Sequence, residues 1–429
     1  MRNRNALSLL AASAALAAST LAVVTPGTAV AAVTAPSVAD FRLVPSNLAQ
    51  GLVVNDLDQE LPKLGVQNIL AQANRDDAPK GDACTSPALN TLSLPLLGKF
   101  CFTAGDVNTT LWVPQGVTTV ADAQADQLWG DKRPMLVSWY NKESSPAKGV
   151  RVSFLDRDTG NYQHVLLAYP YVNGSGNPSY EAVTAPQAGN GGSVHAGGIV
   201  WYGNYLYLAD TNRGVRVFDM RYIFDIKSAA NGNVTDSDKV GRQDGTYYSY
   251  GYRYVMPQIS GWTNPGGLAS FPADYKCLAS GPQKFSYISL DRSTSPHSIT
   301  TGEYCADQND PNLNGRVARW PMNQDTGEPL TNSGGHWQAS EALRLIKPRV
   351  QGAVSTSGLW YLNSTGGGTT GPGHLQTASK ASAGVLEAGS PERDVAIGVE
   401  DLSYWPGRGE LWTVTEHDTK RIIYATPLP

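Results

Sequence analysis

The sequence predicts an all-β protein, a five-bladed β-propeller closed on itself by an N-terminal strand, with six blades as the competing count. Three observations predict it. From about residue 98 onward, short strand-like runs alternate with glycine, asparagine, aspartate or proline turns. A three-strand unit recurs along that stretch, and a unit that cannot bury both its faces alone is expected to repeat. The last unit ends with the chain one strand short, and Phe100-Cys101-Phe102-Thr103 stands where the missing strand belongs. Supplying it from the N-terminus leaves no long open edge.

The clearest unit follows His195. It reads Gly198 to Tyr202, a turn at Gly203-Asn204, Tyr205 to Ala209, a second turn, then Gly214 to Phe218. Equivalent units start at Gly116, Gly267, Gly352 and Asp401. In the unit at Gly267, Gly267 to Ser270 is the expected first strand and Phe285 to Ser289 the second. Fourth strands are expected at Tyr162–Val172, Tyr248–Met256, Ala342–Ile346 and Gly384–Glu387. The runs Asn204-Tyr-Leu-Tyr-Leu-Ala-Asp-Thr and Gly214-Val-Arg-Val-Phe-Asp219 resemble the broad β-propeller class of secreted repeat proteins. That resemblance covers roughly residues 98–429 and implies blade geometry, not an activity.

The N-terminus speaks to compartment. Arg2 and Arg4 precede an uncharged run from Ala6 to Val24, and Ala29-Val30-Ala31 fits a small-x-small cleavage site. Residues 1–31 are therefore expected to be a cleaved signal peptide, 32–97 an extension packing on the ring, and 98–429 the propeller. Four cysteines in an exported chain suggest two disulfides. The local pairing, Cys84 with Cys101 and Cys277 with Cys305, is expected because each pair brackets a short loop-rich stretch. No CxxC or CxH spacing supports zinc there. Lys+Arg 33 against Asp+Glu 37 gives a net charge of −4 without a basic run, which argues against a nucleic-acid partner. A secreted monomer is the expected state.

Several stretches are glycine-, serine- or asparagine-rich and read as insertions: 177–192, 229–245, 277–305 and 364–380. One helix is expected at Leu64–Gln72. Asp156-Arg-Asp-Thr-Gly160-Asn161 has its glycine one place early for a calcium loop and lacks the closing glutamate, so it reads as a hairpin turn. Asn108, Asn173, Asn233 and Asn363 fall in glycosylation sequons. Tyr248, Tyr250, Tyr252 and Tyr254 alternate, as residues on one face of a strand do.

In a propeller the first strand of each blade lines the central channel. The residues one place before each start are Gln115, Gly197, Gly266, Gln351 and Glu400, with His195 nearby. Gln115, His195, Gln351 and Glu400 are thus the candidate ligand-binding residues. Gln115, Gln351 and Glu400 offer oxygen ligands suited to calcium (Ca2+), and His195 is a candidate base. A glycosidase needs carboxylates from separate blades. Strict strand alternation would let only one of Glu400 and Asp401 address the channel. The function expected is therefore binding of a small polar or carbohydrate ligand at the channel mouth. The alternatives are a divalent-metal-assisted hydrolase or lactonase at the same mouth, or a cell-surface protein-interaction scaffold. Whether the protein is an enzyme is left open by the sequence.

Overall fold

The computed structural model describes residues 32–143, 147–184, 194–381 and 384–429. The expected signal peptide, residues 1–31, lies outside the described residues. Strand pairing sorts the rest into antiparallel four-stranded meanders. The first runs Trp112–Thr119, Pro134–Asn141, Val150–Asp156, Tyr162–Val172. The second runs Ile199–Tyr202, Tyr205–Asp210, Gly214–Asp219, Tyr254–Thr263. The third runs Tyr287–Asp291, Ser298–Gly302, Arg316–Pro321, Glu341–Arg344. The fourth runs Val350–Thr356, Leu359–Ser364, Gly373–Lys380, with Leu386–Ala388 and Arg393–Val395 sharing its outer edge. The fifth runs Val399–Trp405, Glu410–Thr415, Ile422–Thr426 and is completed by Gly98–Cys101. The first strands touch one another in order, and the fifth touches the first. Meanders standing around one axis in a closed ring make a β-propeller.

The centre of the ring explains the glycines. A Cβ on Gly198 would stand 2.4 Å from the backbone nitrogen of Ile288, one on Gly116 2.7 Å from that of Ile199, and one on Gly352 2.9 Å from that of Leu402. Each glycine thus lets its backbone press against the first strand of the next meander. The fifth meander carries Asp401 at this place. Its Oδ2 accepts hydrogen bonds from the backbone N–H of Val117 and of Ile199, at 3.4 and 3.3 Å.

The third meander departs from expectation. Its first strand is Tyr287–Asp291, not Gly267–Ser270, and its second is Ser298–Gly302, inside a stretch expected to be an insertion. Gly267 instead turns the chain after Thr263, with φ 84°. The glycine was misleading because tight turns select glycine as strongly as crowded axes do. The place before the start therefore belongs to Ser286, not Gly266. The fourth meander likewise takes its third strand, Gly373–Lys380, from an expected insertion.

The alternating tyrosines do not share a strand. Tyr248 ends a short strand at Thr246–Ser249, Tyr250 and Gly251 turn with φ 52° and 79°, and Tyr254 begins the next strand. That strand welds two meanders. Residues 258–263 pair antiparallel with Gly214–Phe218, while Tyr254–Pro257 pair in parallel with Val165–Ala168 of the first meander.

Both disulfides, Cys84–Cys101 and Cys277–Cys305, are formed with Cα atoms 5.4 Å apart. Among residues 32–97, Arg42–Ser46 pairs with the strands at 254–263 and 337–338. Val54 and Leu57 of the helix Gln50–Glu60, absent from the sequence expectation, pack in a cluster with Leu166, Tyr180 and Val255. The expected second helix is Val66–Ala71. Among the described residues, no helix is long and apolar enough to cross a membrane.

Crowding at the axis predicts an outcome. Gly198→Ala should lower the unfolding free energy by about 1–3 kcal/mol, as over-packing does. Gly266→Ala, with open space around it, should leave it unchanged. Urea melts of the two variants check this; equal midpoints would remove the axial packing account.

Candidate functional site

Three of the five first strands carry a β-bulge where they enter the channel. The register slips by one residue between Pro114 and Val117, between Val350 and Gly352, and between Val399 and Leu402. A bulge puts two residues opposite one and re-aims their side chains. Gln115, Gln351 and Glu400 all sit in these bulges. The bulge also corrects the expectation of strict alternation: Glu400 faces the mouth while its neighbour Asp401 fills the axis below.

The bulged residues meet. Gln351 Nε2 donates to Glu400 Oε1 at 3.1 Å, and Gln115 Nε2 donates to Glu416 Oε2 at 3.2 Å. Between the two amides stand the carboxyls of Glu400 and Glu416, near enough for Glu416 to raise the pKa of Glu400. Burial, then the nearby Glu416 and Asp401, push Glu400 well above the ordinary value of 4.5. Asn363 Nδ2 donates to the Glu400 backbone carbonyl at 2.9 Å and is buried. That position is a strut under the site and not a glycan acceptor.

Above the pair opens a cavity of about 480 Å³. Tyr140, Tyr275, Tyr304, His195, Lys284, Ser286, Gln351 and Glu416 are among its lining residues. The Cys277–Cys305 disulfide fastens the rim, because Tyr275 and Tyr304 lie beside its two ends and cross edge to face, centroids 6.0 Å apart. His195 tilts over Tyr140 with centroids 4.9 Å apart. Its ring is open to the cavity, yet the protein walls around it hold its pKa below 6.5, with Glu416 pulling up and Lys284 and Lys142 pushing down. The imidazole is neutral at pH 7 and able to accept a proton.

Sequence reasoning brought Gln115, Gln351, Glu400 and His195 to one place but missed Glu416, Lys284 and the tyrosines. A signal for several of them existed. In an antiparallel meander, the end of the second strand lies at the same edge as the start of the first. Tyr140, Asp210, Tyr304 and Glu416 all stand at or just beyond second-strand ends.

The oxygen-rich set was tested for fit to a cation. Gln115 Oε1 is fully buried and has no hydrogen-bond partner, as an oxygen awaiting a donor or an ion would. Among the described residues, the one group of three closely spaced His, Cys, Asp or Glu ligand atoms is Cys277, Glu303 and Cys305. There the sulfurs are spent in a disulfide, and Arg316 grips Glu303 at 2.7 and 2.9 Å.

No family model matches the chain, and no curated protein is similar to it. Among solved structures, a GH43_1 enzyme from Xanthomonas citri is similar at 9% identity, covering 79% of this chain and 91% of that one, with a TM-score of 0.31. An endo-arabinase from Bacteroides thetaiotaomicron is similar at 10% identity, 75% and 98% coverage, and a TM-score of 0.33. A mitotic checkpoint complex chain is similar at 11% identity, 82% and 97% coverage, and 0.31. At such scores the similarities carry no weight for chemistry, and the site is read from its own residues.

A second constellation imitates a catalytic triad. His164 Nδ1 is 3.0 Å from Ser153 Oγ, and His164 Nε2 is 3.1 Å from Asp106 Oδ2. Burial and the neighbouring Arg151 push the imidazole down to about 3, against the pull of Asp106. Ser153 is fully buried, and its Oγ accepts from Trp139 Nε1 at 2.8 Å. Asp106 also accepts from Arg151 at 2.6 Å and from the Tyr162 hydroxyl at 2.6 Å. Because Asp106 follows directly on the closing strand, this chain latches the closure to the first meander.

Two outcomes follow. Glu400, protonated in the fold above its unfolded value, makes the native state hold a proton that the unfolded state has released. Stability therefore falls as pH rises above about 4.5. Glu400→Gln, unable to ionise, should flatten the loss of Tm between pH 5 and 8, and an unchanged slope would refute the raised Glu400 pKa. Ser153→Ala should cost about 1–3 kcal/mol by breaking the buried chain. A serine-directed phosphonate should leave Ser153 unlabelled in the wild type, as mass spectrometry would show.

Proposed function

We propose that the chain is an exported, monomeric five-bladed β-propeller that binds a small polyhydroxylated ligand, a carbohydrate, at its channel mouth. The observation that carries this is the pair of amide–carboxyl hydrogen bonds, Gln351 to Glu400 and Gln115 to Glu416, beneath a cavity lined by three tyrosines. Sugar hydroxyls need donors and acceptors together. Two amides, which both donate and accept, and the carboxyl oxygens of Glu400 and Glu416 supply both. Tyrosine rings offer apolar faces for the C–H face of a sugar and a phenol for its edge. The cavity volume falls in the usual small-molecule range of about 300–1,000 Å³. Two disulfides fit export into an oxidising compartment.

The unpartnered Gln115 Oε1 favours a second reading, a divalent-metal-assisted hydrolase or lactonase. Glu400, Glu416, Gln115 and Gln351 would hold the ion. A bound divalent cation supplies polarisation of an ester carbonyl and a water of lowered pKa. His195, neutral and exposed to the cavity, would accept the proton.

Calorimetric titration with mono- and oligosaccharides tests the first reading. Glu416→Ala and Gln351→Ala should each weaken binding about tenfold, or about 1.4 kcal/mol; unchanged affinity in both would remove the mouth as the site. Calcium added to chelator-treated protein separates the readings. A rise in Tm absent from Glu400→Gln, together with ion-dependent ester hydrolysis, would favour the hydrolase.

A further inference from the structure

Lys284 is the one cation among the residues lining the cavity, and it is 7% exposed. Buried ammonium groups are almost always paired, because an unpaired one loses its hydration without compensation. Lys284 makes no ion pair or side-chain hydrogen bond among the described residues. Its Nζ only faces the Tyr275 ring, 5.7 Å from the centroid. The neighbouring acids are committed elsewhere. Glu303 is held by Arg316, and Asp210 by Arg216 at 2.8 Å. Glu416 faces Gln115 and Glu400. The residues outside the described set contain no aspartate or glutamate, so they hold no acidic partner for it either.

Building on the carbohydrate-binding function proposed above, we propose that the ligand is an anionic sugar whose negative group pairs with Lys284 while its hydroxyls reach the Glu400–Glu416 pair. The cavity is polarised accordingly. His195 stands in the field of both ends, Glu416 drawing its pKa up and Lys284 driving it down. An anion brought to Lys284 supplies the missing partner of a desolvated charge, and such charge-assisted contacts are the strong ones. Burial holds the Lys284 amine below its ordinary value, as expected of a cation kept without a partner. A carboxylate and a phosphate both answer this chemistry.

The test uses the full chain and calorimetric titration with glucose, glucuronate and glucose 6-phosphate. Wild type should bind at least one of the two anionic sugars ten or more times tighter than glucose. Lys284→Met, close to lysine in length, should weaken binding of that anionic sugar at least fivefold more than binding of glucose, and Lys284→Arg should restore part of the difference. The advantage should shrink as salt rises from 50 to 500 mM, as binding that depends on a charge pair does. Glucuronate ahead of glucose 6-phosphate assigns a carboxylate, and the reverse order a phosphate. Glucose binding with no preference for either anion, or a preference that survives Lys284→Met, overturns the inference and leaves carbohydrate binding standing. Binding of none of the three overturns both.

Discussion

The molecule depends on how little side-chain volume its axis allows. Strands from distant parts of the chain converge until a single added methyl at Gly198 would lie 2.4 Å from the next backbone. Hydrophobic burial between meanders supplies the general attraction, but closeness of approach decides whether the ring closes. Two large residues, Tyr287 and Asp401, stand at the equivalent places of the third and fifth meanders. The Asp401 carboxyl takes the space the glycines leave and accepts N–H groups from two other meanders. Those donors oppose, without cancelling, the effect of burial, which raises its pKa well above the ordinary value. A polar group thus does at the axis what packing cannot: it ties backbones that have no side chains to interlock.

The same convergence creates the site. Once the first strands are fixed at the axis, any residue displaced by a bulge just above it must project into the mouth. Three of the five strands bulge at that level, and their projecting side chains are Gln115, Gln351 and Glu400. Crowding acids together would be unfavourable if both stayed ionised. Burial and these neighbours raise the pKa of Glu400, and amide donors bracket the pair. Chemistry at the mouth is therefore a by-product of architecture at the axis, modified by a local register slip.

Much of this was legible in the sequence. The repeat, the local disulfides and the closing strand at Gly98–Cys101 follow from patterning and turn residues, and so does the meeting of Gln115, Gln351 and Glu400. The failures have distinct physical origins. Gly267 was read as an axial glycine because the residue type is shared by turns. Ser298–Gly302 was read as loop because serine, threonine and glycine carry a strand only when its neighbours bury it. Bulges leave no signature in one sequence, so both acids at 400 and 401 facing inward was not foreseeable from alternation. Glu416 was different: antiparallel geometry alone places the second-strand ends at the mouth, and a search there would have found it.

The contrast between the two polar constellations separates structure from function within one molecule. Ser153, His164 and Asp106 have the order of a hydrolytic triad, yet every donor and acceptor in that chain is answered: Trp139 caps the serine, and Arg151 and Tyr162 saturate the aspartate. Saturation is what a buried network needs in order to stabilise. At the mouth the accounts are left open. Gln115 Oε1 lacks a partner, and Lys284, 7% exposed on the cavity wall, has no ion pair among the described residues. Ser153, His164 and Asp106 are answered within the fold, whereas Gln115 Oε1 and the Lys284 ammonium are not. Unsatisfied polarity that persists beside a cavity is most simply the half of an interaction whose other half arrives from solution.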